Sequence, residues 1–170
     1  IALQSIVSRN VDPLDSAVIS VCEFEAGNAR NVIPQTVVLR GTVRTLRPNV
    51  RDLVEKRIRE ITAGVAQTTG TKIDLTFERG YPVTVNHAAQ TDIATSIAKE
   101  IAGDTNVHET PPMMGAEDFA YMLEARPGAF IFCGNGDSAG LHHPAYNFND
   151  DAIVYGTSYW IKLVENTLAA

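Results

Sequence analysis

The feature that most constrains this chain is a long amphipathic helix predicted between Pro48 and Gly70. Apolar residues recur there at helical spacing and form one continuous stripe: Val50, Leu53, Val54, Ile58, Ile61 and Val65. Proline is favoured in the first turn of a helix and glycine just past the last, so these two residues mark its ends. Because the stripe lies on one side only, the helix is predicted to cover one face of a β-sheet.

Strand-like segments flank this helix on both sides. Residues 17–24 form a mostly apolar run, and residues 36–46 follow after a loop that contains Pro34. After the helix, apolar and polar residues alternate, which is typical of a strand with one face in water. We expect the helix stripe to pack on the sheet face that bears the apolar members of this alternation: Ile73, Leu75 and Phe77.

Residues 1–10 resemble the last turns of a helix. With the segments described above, the first half of the chain is therefore predicted to form a helix, two strands, a helix and a third strand. A ferredoxin-like sheet has four strands in this arrangement and would need one more strand before Ile1. The predicted fold class is α/β (α+β), with a ferredoxin-like domain that lacks its first strand. We accordingly expect the chain to be a fragment of a longer protein.

The second half changes character after Pro82. A second amphipathic helix contains Ile93, Ile97 and Ile101, and residues 129–133 are predicted to form a short buried strand. A glycine-rich turn follows, and a last helix begins near Asp150. That helix is predicted to bury four apolar side chains: Ile153, Trp160, Leu163 and Val164.

Charge and cysteine usage exclude several classes of partner. The 170 residues carry 14 Lys and Arg against 20 Asp and Glu, so a net charge of −6 argues against nucleic acid as the main partner. No uninterrupted apolar stretch approaches the ~20 residues of a membrane span, so no membrane partner is expected. Cys22 and Cys133 lie in apolar runs and are predicted to be buried free thiols of a reducing compartment, which indicates a cytoplasmic protein.

The histidine pair His142-His143 is the first candidate for chemistry. It follows the predicted strand 129–133, in the kind of loop where α/β enzymes place ligands and catalytic groups. A zinc site needs three or four ligands, and no nearby residue completes one. From the residues alone, an ordinary surface loop stays open as an alternative.

Two further residues, Glu117 and Arg44, have both a structural and a functional interpretation. Glu117 lies at the expected start of a helix, where an acidic side chain either complements the helix dipole or faces a ligand beside Gly115. Arg44 ends the polar face of the second strand, and its planar guanidinium is suited to clamp a carboxylate. An exposed arginine at a strand end is otherwise a solvated charge, as we expect for Arg40 and Arg47.

Four segments in chain order carry a resemblance to a known family: NVIP (31–34), GTVR (41–44), MGAEDF (114–119) and LHHPAYNFND (141–150). Together they resemble the C-terminal half of the M20 metallopeptidase family, and especially its amidohydrolase branch. That branch includes hippurate hydrolases, N-acyl-amino-acid amidohydrolases and auxin-conjugate hydrolases. The similarity extends over essentially all 170 residues.

The resemblance implies a two-domain, homodimeric enzyme with two divalent metal ions, zinc, manganese or cobalt. Residues 1–84 would be most of a lid domain that also forms the dimer. Residues 85–170 would be the C-terminal segment of the α/β catalytic domain. The substrate would be a small N-acyl amino acid or a related C–N compound.

Individual roles also follow from the resemblance alone. The histidine of the Leu-His-x-Pro motif is a metal ligand in the family, which is His142 here, with His143 at the variable position. Asn31 and Arg44 would contact the carboxylate or the scissile carbonyl oxygen of the substrate. The family's Gly-x-Glu-Asp-Phe segment lines the site and corresponds to Gly115, Glu117, Asp118 and Phe119.

The family's other metal ligands and its general-base glutamate have no counterpart in this sequence, so no catalytic residue is assigned. Two-metal hydrolysis needs both ions and a base. We therefore expect this fragment alone to hold no metal tightly and to be inactive. The competing hypothesis is a non-catalytic dimerisation or small-molecule-binding α/β module, which explains residues 1–84 but leaves residues 115–150 without a role.

Overall fold

The structure, a computed structural model, describes residues 1–168. Within that range it contains two strands and five α-helices, and the mixed α/β class is confirmed. The helices are α1 (Gln4–Arg9), α2 (Pro48–Thr69), α3 (Ala88–Ala102), α4 (Phe119–Ala125) and α5 (Asp151–Leu168); the strands are β1 (Ala17–Ala26) and β2 (Val37–Thr45). A single 3-10 turn, Asp104–Asn106, follows α3.

The chain separates into two compact units. Unit 1 consists of residues 1–83 and 112–117, and unit 2 of residues 84–111 together with the described residues from 118 onward. The assignment of residues 1–84 and 85–170 to two functional domains stays a prediction. No helix among residues 1–168 is both long enough and apolar enough to cross a membrane.

Unit 1 is organised by α2, whose predicted stripe is confirmed from Val50 to Ile61, whereas its last member, Val65, is 39% exposed. The helix begins with Pro48 in its first turn and ends at Gly70, whose positive φ of 68° is the left-handed conformation that favours glycine at this position. Val54 is fully buried and Leu53 and Ile61 are half-buried, so the helical register is correct. Six buried side chains form the core beneath the helix: Ile6, Val11, Ile19, Val50, Val54 and Ile58.

Strands β1 and β2 form an antiparallel hairpin in which Ile19 pairs with Val43 and Val18 with Arg44. The register shifts between Val21 and Glu23, so Cys22 is the extra residue of a β-bulge. The core covers only the half of the hairpin near Ile19 and Val43. Phe24, in the other half, is 68% exposed.

The prediction of a third strand at residues 73–77 is wrong, because this segment does not form a β-strand. Its alternation is present in part, because Leu75 and Phe77 are half-buried against the core while their polar neighbours are exposed. Ile73, predicted on the same face, is 41% exposed. Strand structure also requires ladder hydrogen bonds to a neighbour. Among residues 1–168 the sheet contains only β1 and β2, so this segment has no ladder partner.

Unit 2 contains a smaller core between α3 and α5, formed by Ala94, Ile97 and Tyr159. The burial prediction for α5 was largely wrong. Leu163 does pack against this core, but Ile153, Trp160 and Val164 are 53%, 63% and 52% exposed. Apolar residues lie on several sides of α5, and the described part of the chain covers only the side that bears Tyr159.

The predicted buried strand at residues 129–133 is also absent. The Phe130 backbone is hydrogen-bonded to the Asn86 side chain instead of to a neighbouring strand. Nδ2 of Asn86 donates to the Phe130 carbonyl and its Oδ1 accepts the Phe130 N–H, each at 2.8 Å. Phe132 is 62% exposed. Both cysteines are free, as predicted, but they are exposed rather than buried. Neither belongs to a core cluster of the described residues.

Candidate functional site

Arg44 lies near the C-terminal end of β2, half-buried and opposite Val18. The pleat of β2 places it on the hairpin face away from Val43, which packs against the core. Among residues 1–168 no carboxylate or carbonyl accepts a hydrogen bond from its guanidinium. Arg44 is therefore available to bind an anionic group.

Neighbouring arginines in the same region are already paired. Arg40 donates to Glu23 at 2.8 Å and to Glu25 at 2.6 Å, and these two hydrogen-bonded carboxylates raise the pKa of the Arg40 guanidinium. Arg47 contacts Asp15 at 2.8 Å. The expectation that Arg40 and Arg47 are surface charges fits these contacts. Arg44 differs from them in having no such partner among residues 1–168, and its role as a carboxylate clamp stays a prediction.

Asn31 lies in the exposed loop that joins β1 to β2. This loop enters β2 at Val37, whereas Arg44 lies near the other end of the strand. Seven residue steps at about 3.3 Å each separate the Cα atoms of Val37 and Arg44 by about 23 Å. The structure therefore places Asn31 and Arg44 at opposite ends of one hairpin and does not bring them together.

Gly115 and Glu117 lie in residues 112–117, the segment that precedes α4. This segment belongs to unit 1. Gly115 is exposed and Glu117 half-buried. The helix expected here begins at Phe119, with Asp118 at its N-cap position but without a side-chain capping hydrogen bond. Contacts of Gly115 and Glu117 with substrate stay a prediction.

His142 occupies an unusual turn in unit 2. The His143 N–H donates to the Gly140 carbonyl at 3.1 Å, so residues 140–143 form a turn with His142 in its third position. Its φ of 66° makes it the one non-glycine residue of the described chain in the left-handed region. Such a conformation costs roughly 1–3 kcal/mol and is concentrated at functional sites.

The two adjacent histidines differ in what their rings can do. Nδ1 of His143 accepts the Ala145 N–H at 3.0 Å, so in the neutral ring the proton is on Nε2. Neither ring nitrogen of neutral His143 then has a free lone pair for a metal. The His142 ring is exposed and makes no hydrogen bond with residues 1–168, so it keeps a free lone pair.

The residues present do not complete a metal centre. No group of three or more His, Cys, Asp or Glu side chains with ligand geometry occurs within residues 1–168. Zinc sites use three or four protein ligands, and His142 supplies at most one. The donor set of this chain therefore does not fit a metal site by itself.

Sequence reasoning missed Asn135, which makes three hydrogen bonds around the base of the His142 loop. Its Nδ2 donates to Ser138 Oγ and to the Asn147 carbonyl, each at 2.9 Å, and its Oδ1 accepts the Asn149 N–H at 2.7 Å. The available signal was an asparagine between two glycines just upstream of the histidine pair. Asparagine side chains commonly stabilise such turns.

Known proteins resemble this chain over nearly its whole length. It is 40% identical over 164 residues to a hippurate hydrolase from Campylobacter jejuni, which covers 96% of this chain and 43% of the relative. It is 38% identical over 168 residues to an N-acetyl-L-cysteine deacetylase from Bacillus subtilis, which covers 99% of this chain and 40% of the relative. The chain thus spans about two fifths of the length of these relatives.

A solved structure is similar as well. The Bacillus subtilis protein YxeP, described as a dinuclear metal-binding peptidase from the M20 family, superimposes with a TM-score of 0.75 and 29% sequence identity. The match covers 99% of this chain and 45% of that protein. A profile of Peptidase family M20/M25/M40 matches residues 6–166, so the chain belongs to this peptidase family.

Proposed function

We propose that the full-length protein is a metal-dependent amidohydrolase that cleaves the amide bond between an acyl group and an amino acid. The names of the relatives support this substrate class, since hippurate hydrolase and N-acetyl-L-cysteine deacetylase each act on an acylated amino acid. The observation in this chain that carries the proposal is the left-handed turn at His142, whose ring is exposed and makes no hydrogen bond with residues 1–168.

His142 is proposed as one ligand of a two-metal centre of zinc, manganese or cobalt. The remaining ligands and the general base are proposed to lie in sequence outside these 170 residues, because no cluster here completes a site. The 170-residue chain alone is accordingly proposed to be inactive. Glu117 and Gly115 are proposed to line the substrate site.

Arg44 is proposed to bind the carboxylate of the amino acid. Its guanidinium has no partner among residues 1–168, and a planar fork can donate two parallel hydrogen bonds to one carboxylate. Asn31 is proposed to donate to the carbonyl oxygen of the scissile amide. Since Asn31 and Arg44 lie at opposite ends of one hairpin, the two contacts to one substrate are proposed to come from two protomers.

This arrangement requires a homodimer, which we propose to form through residues 1–84. We also propose a cytoplasmic location, because both cysteines are free, as expected in a reducing compartment.

A panel of substrates tests the chemical class. The full-length protein should hydrolyse N-acyl amino acids, should lose this activity on treatment with a chelator, and should regain it when zinc, manganese or cobalt is added back. A protein that binds metal and dimerises but hydrolyses no member of the panel would instead be a binding module.

Mixing of two impaired variants tests the dimeric site. Asn31→Ala and Arg44→Ala proteins, combined in equal amounts and allowed to re-associate, should recover about a quarter of the wild-type activity. The reason is that half of the dimers are mixed, and each mixed dimer has one intact site. If both residues serve the same site from one protomer, mixing will restore nothing.

A further inference from the structure

Asn135 connects the two arms of the loop that carries His142. The three hydrogen bonds of its amide reach Ser138 on its own arm and the Asn147 carbonyl and Asn149 N–H on the returning arm. The side chain thus uses both its donor and its acceptor atoms at normal hydrogen-bond distances. It closes a loop of 12 to 14 residues at its base.

Few other hydrogen bonds of the described residues connect the two arms of this loop. The other hydrogen bonds within the loop are local: His143 N–H to the Gly140 carbonyl, Tyr146 N–H to the His143 carbonyl, Ala145 N–H to His143 Nδ1 and Ser138 Oγ to the Ala139 carbonyl. Within residues 1–168, the other bond between the arms is a weak one of 4.0 Å from Cys133 Sγ to the Ala152 carbonyl. Asn135 therefore supplies the strong cross-links.

The network continues into helix α5. Oδ1 of Asn149 accepts the Asp151 N–H at 3.0 Å, so the residue that Asn135 holds also caps the first turn of this helix. Gly136 fits closely beside it, since its φ is 75° and a Cβ there would lie 3.4 Å from Asn149 Nδ2. The loop is consequently tied to a regular element at its returning end.

We propose that Asn135 is the positioning residue of the His142 turn. His142 has no side-chain hydrogen bond within the described chain, so its direction depends on the backbone of residues 140–143. Residues in the left-handed region persist only where the surrounding structure determines them. The Asn135 amide provides that support, and this inference rests on the proposed function in that His142 is taken as a metal ligand.

The experiment compares Asn135→Ala with Asn147→Ala in the full-length protein. Asn147 contributes its backbone carbonyl to the network, and its side chain makes no hydrogen bond within residues 1–168, so this control makes the same chemical change in the same loop. Hydrogen–deuterium exchange is followed at His143 and Tyr146, whose amides do not contact Asn135. Exchange there should accelerate at least tenfold in Asn135→Ala and should be unchanged in Asn147→Ala.

Zinc binding and kinetics then connect the turn to the proposed function. Asn135→Ala should raise the zinc dissociation constant about tenfold, a loss of affinity typical of residues that orient a metal ligand without touching the metal. It should also lower kcat while KM stays within about twofold of wild type. Asn135→Asp should be intermediate, because it can still accept the Asn149 N–H but loses both donated bonds. It also serves as the test if the alanine variant fails to fold.

The outcomes separate the two hypotheses. Unchanged exchange at His143 and Tyr146 in Asn135→Ala overturns the positioning role, whatever happens to activity. Equal acceleration in Asn147→Ala overturns it as well. Faster exchange with unaltered zinc binding supports the positioning of the turn and contradicts His142 as a ligand, so the failure of the proposed function would be recognised separately.

Discussion

The core under α2 and the loop that carries His142 are held together in different ways. Beneath α2, Ile6, Val54 and their neighbours exclude water, and apolar contact determines the structure. In residues 134–150 nearly every side chain is exposed, and the conformation depends on hydrogen bonds from Asn135 and His143. The comparison indicates that stability and chemistry are carried by separate residues, and this separation can be tested from both sides.

The largest expected effect on stability comes from the α2 core. Val54→Ala removes two carbon atoms from a fully buried position and leaves a cavity. The burial of each carbon stabilises the folded state by about 0.8 kcal/mol. With the cavity the cost should reach about 2–3 kcal/mol. Chemical denaturation of the 170-residue chain measures this loss.

Val65→Ala is the matched control in the same helix, because Val65 is 39% exposed. Its cost should stay below about 1 kcal/mol, since little apolar area is lost and alanine favours the helix. In the full-length protein, neither variant should alter activity per folded molecule. Equal destabilisation by the two substitutions would contradict this expectation, because burial would then not explain the stability of unit 1.

An intermediate effect is expected for Arg44→Ala, and it should appear in kinetics instead of stability. A charge-assisted hydrogen bond contributes about 1.5–3 kcal/mol, which corresponds to roughly a 10- to 200-fold loss in kcat/KM on an N-acyl amino acid. The free energy of unfolding should change by no more than about 0.5 kcal/mol. Substrates with an amide in place of the carboxylate should be nearly unaffected.

Two further variants sharpen this prediction. Arg44→Lys should recover only part of the loss, because an ammonium cannot donate two parallel hydrogen bonds. Arg40→Ala makes the same substitution at a position already bound to Glu23 and Glu25, and it should leave kcat/KM unchanged. Equal losses on the acid and the amide substrate would rule out Arg44 as the carboxylate clamp.

The smallest expected effect concerns the surface of α2. Hydrogen bonds from Arg59 and Arg79 lower the pKa of Glu55 below its ordinary value. Since the folded pKa is depressed, the stabilisation is present above the unfolded pKa of about 4.5 and disappears as the pH falls through the folded value. Glu55→Gln should therefore lose less stability than wild type between neutral pH and pH 3.

This difference should shrink in high salt, because the Arg59 and Arg79 side chains that surround the half-buried Glu55 carboxylate are exposed and screened by ions. Denaturation midpoints at the two pH values and at two salt concentrations measure it. A Glu55→Gln protein with the same acid sensitivity as wild type would show that the surface pairs contribute nothing measurable.

The same contrast explains what could be predicted from sequence. The stripe of α2 lies on one side, so its period identified the buried face correctly. In α5, apolar residues such as Ile153, Trp160 and Ile161 lie on several sides, and the period could not select the side with Tyr159. Residues 73–77 have the alternation of a strand but no neighbour to pair with, which sequence pattern does not reveal.

The site was predictable only through its resemblance to a family. Position alone could not separate His142 from His143; the distinction depends on a backbone φ and on the Ala145 N–H. Asn135 had no periodic signal, because its hydrogen bonds join residues 12 and 14 positions away through side-chain and loop backbone atoms. Hydrogen-bond networks of this kind become visible only in three dimensions.

The most direct test of the account is the metal content of two histidine variants of the full-length protein. His142→Ala should lose zinc and hydrolytic activity while its thermal stability in the metal-free state stays close to wild type. His143→Ala should keep most of its zinc and activity, because the Nδ1 of His143 is engaged with the Ala145 N–H. Equal loss of zinc from both variants, or loss from His143→Ala alone, would contradict the assignment of His142.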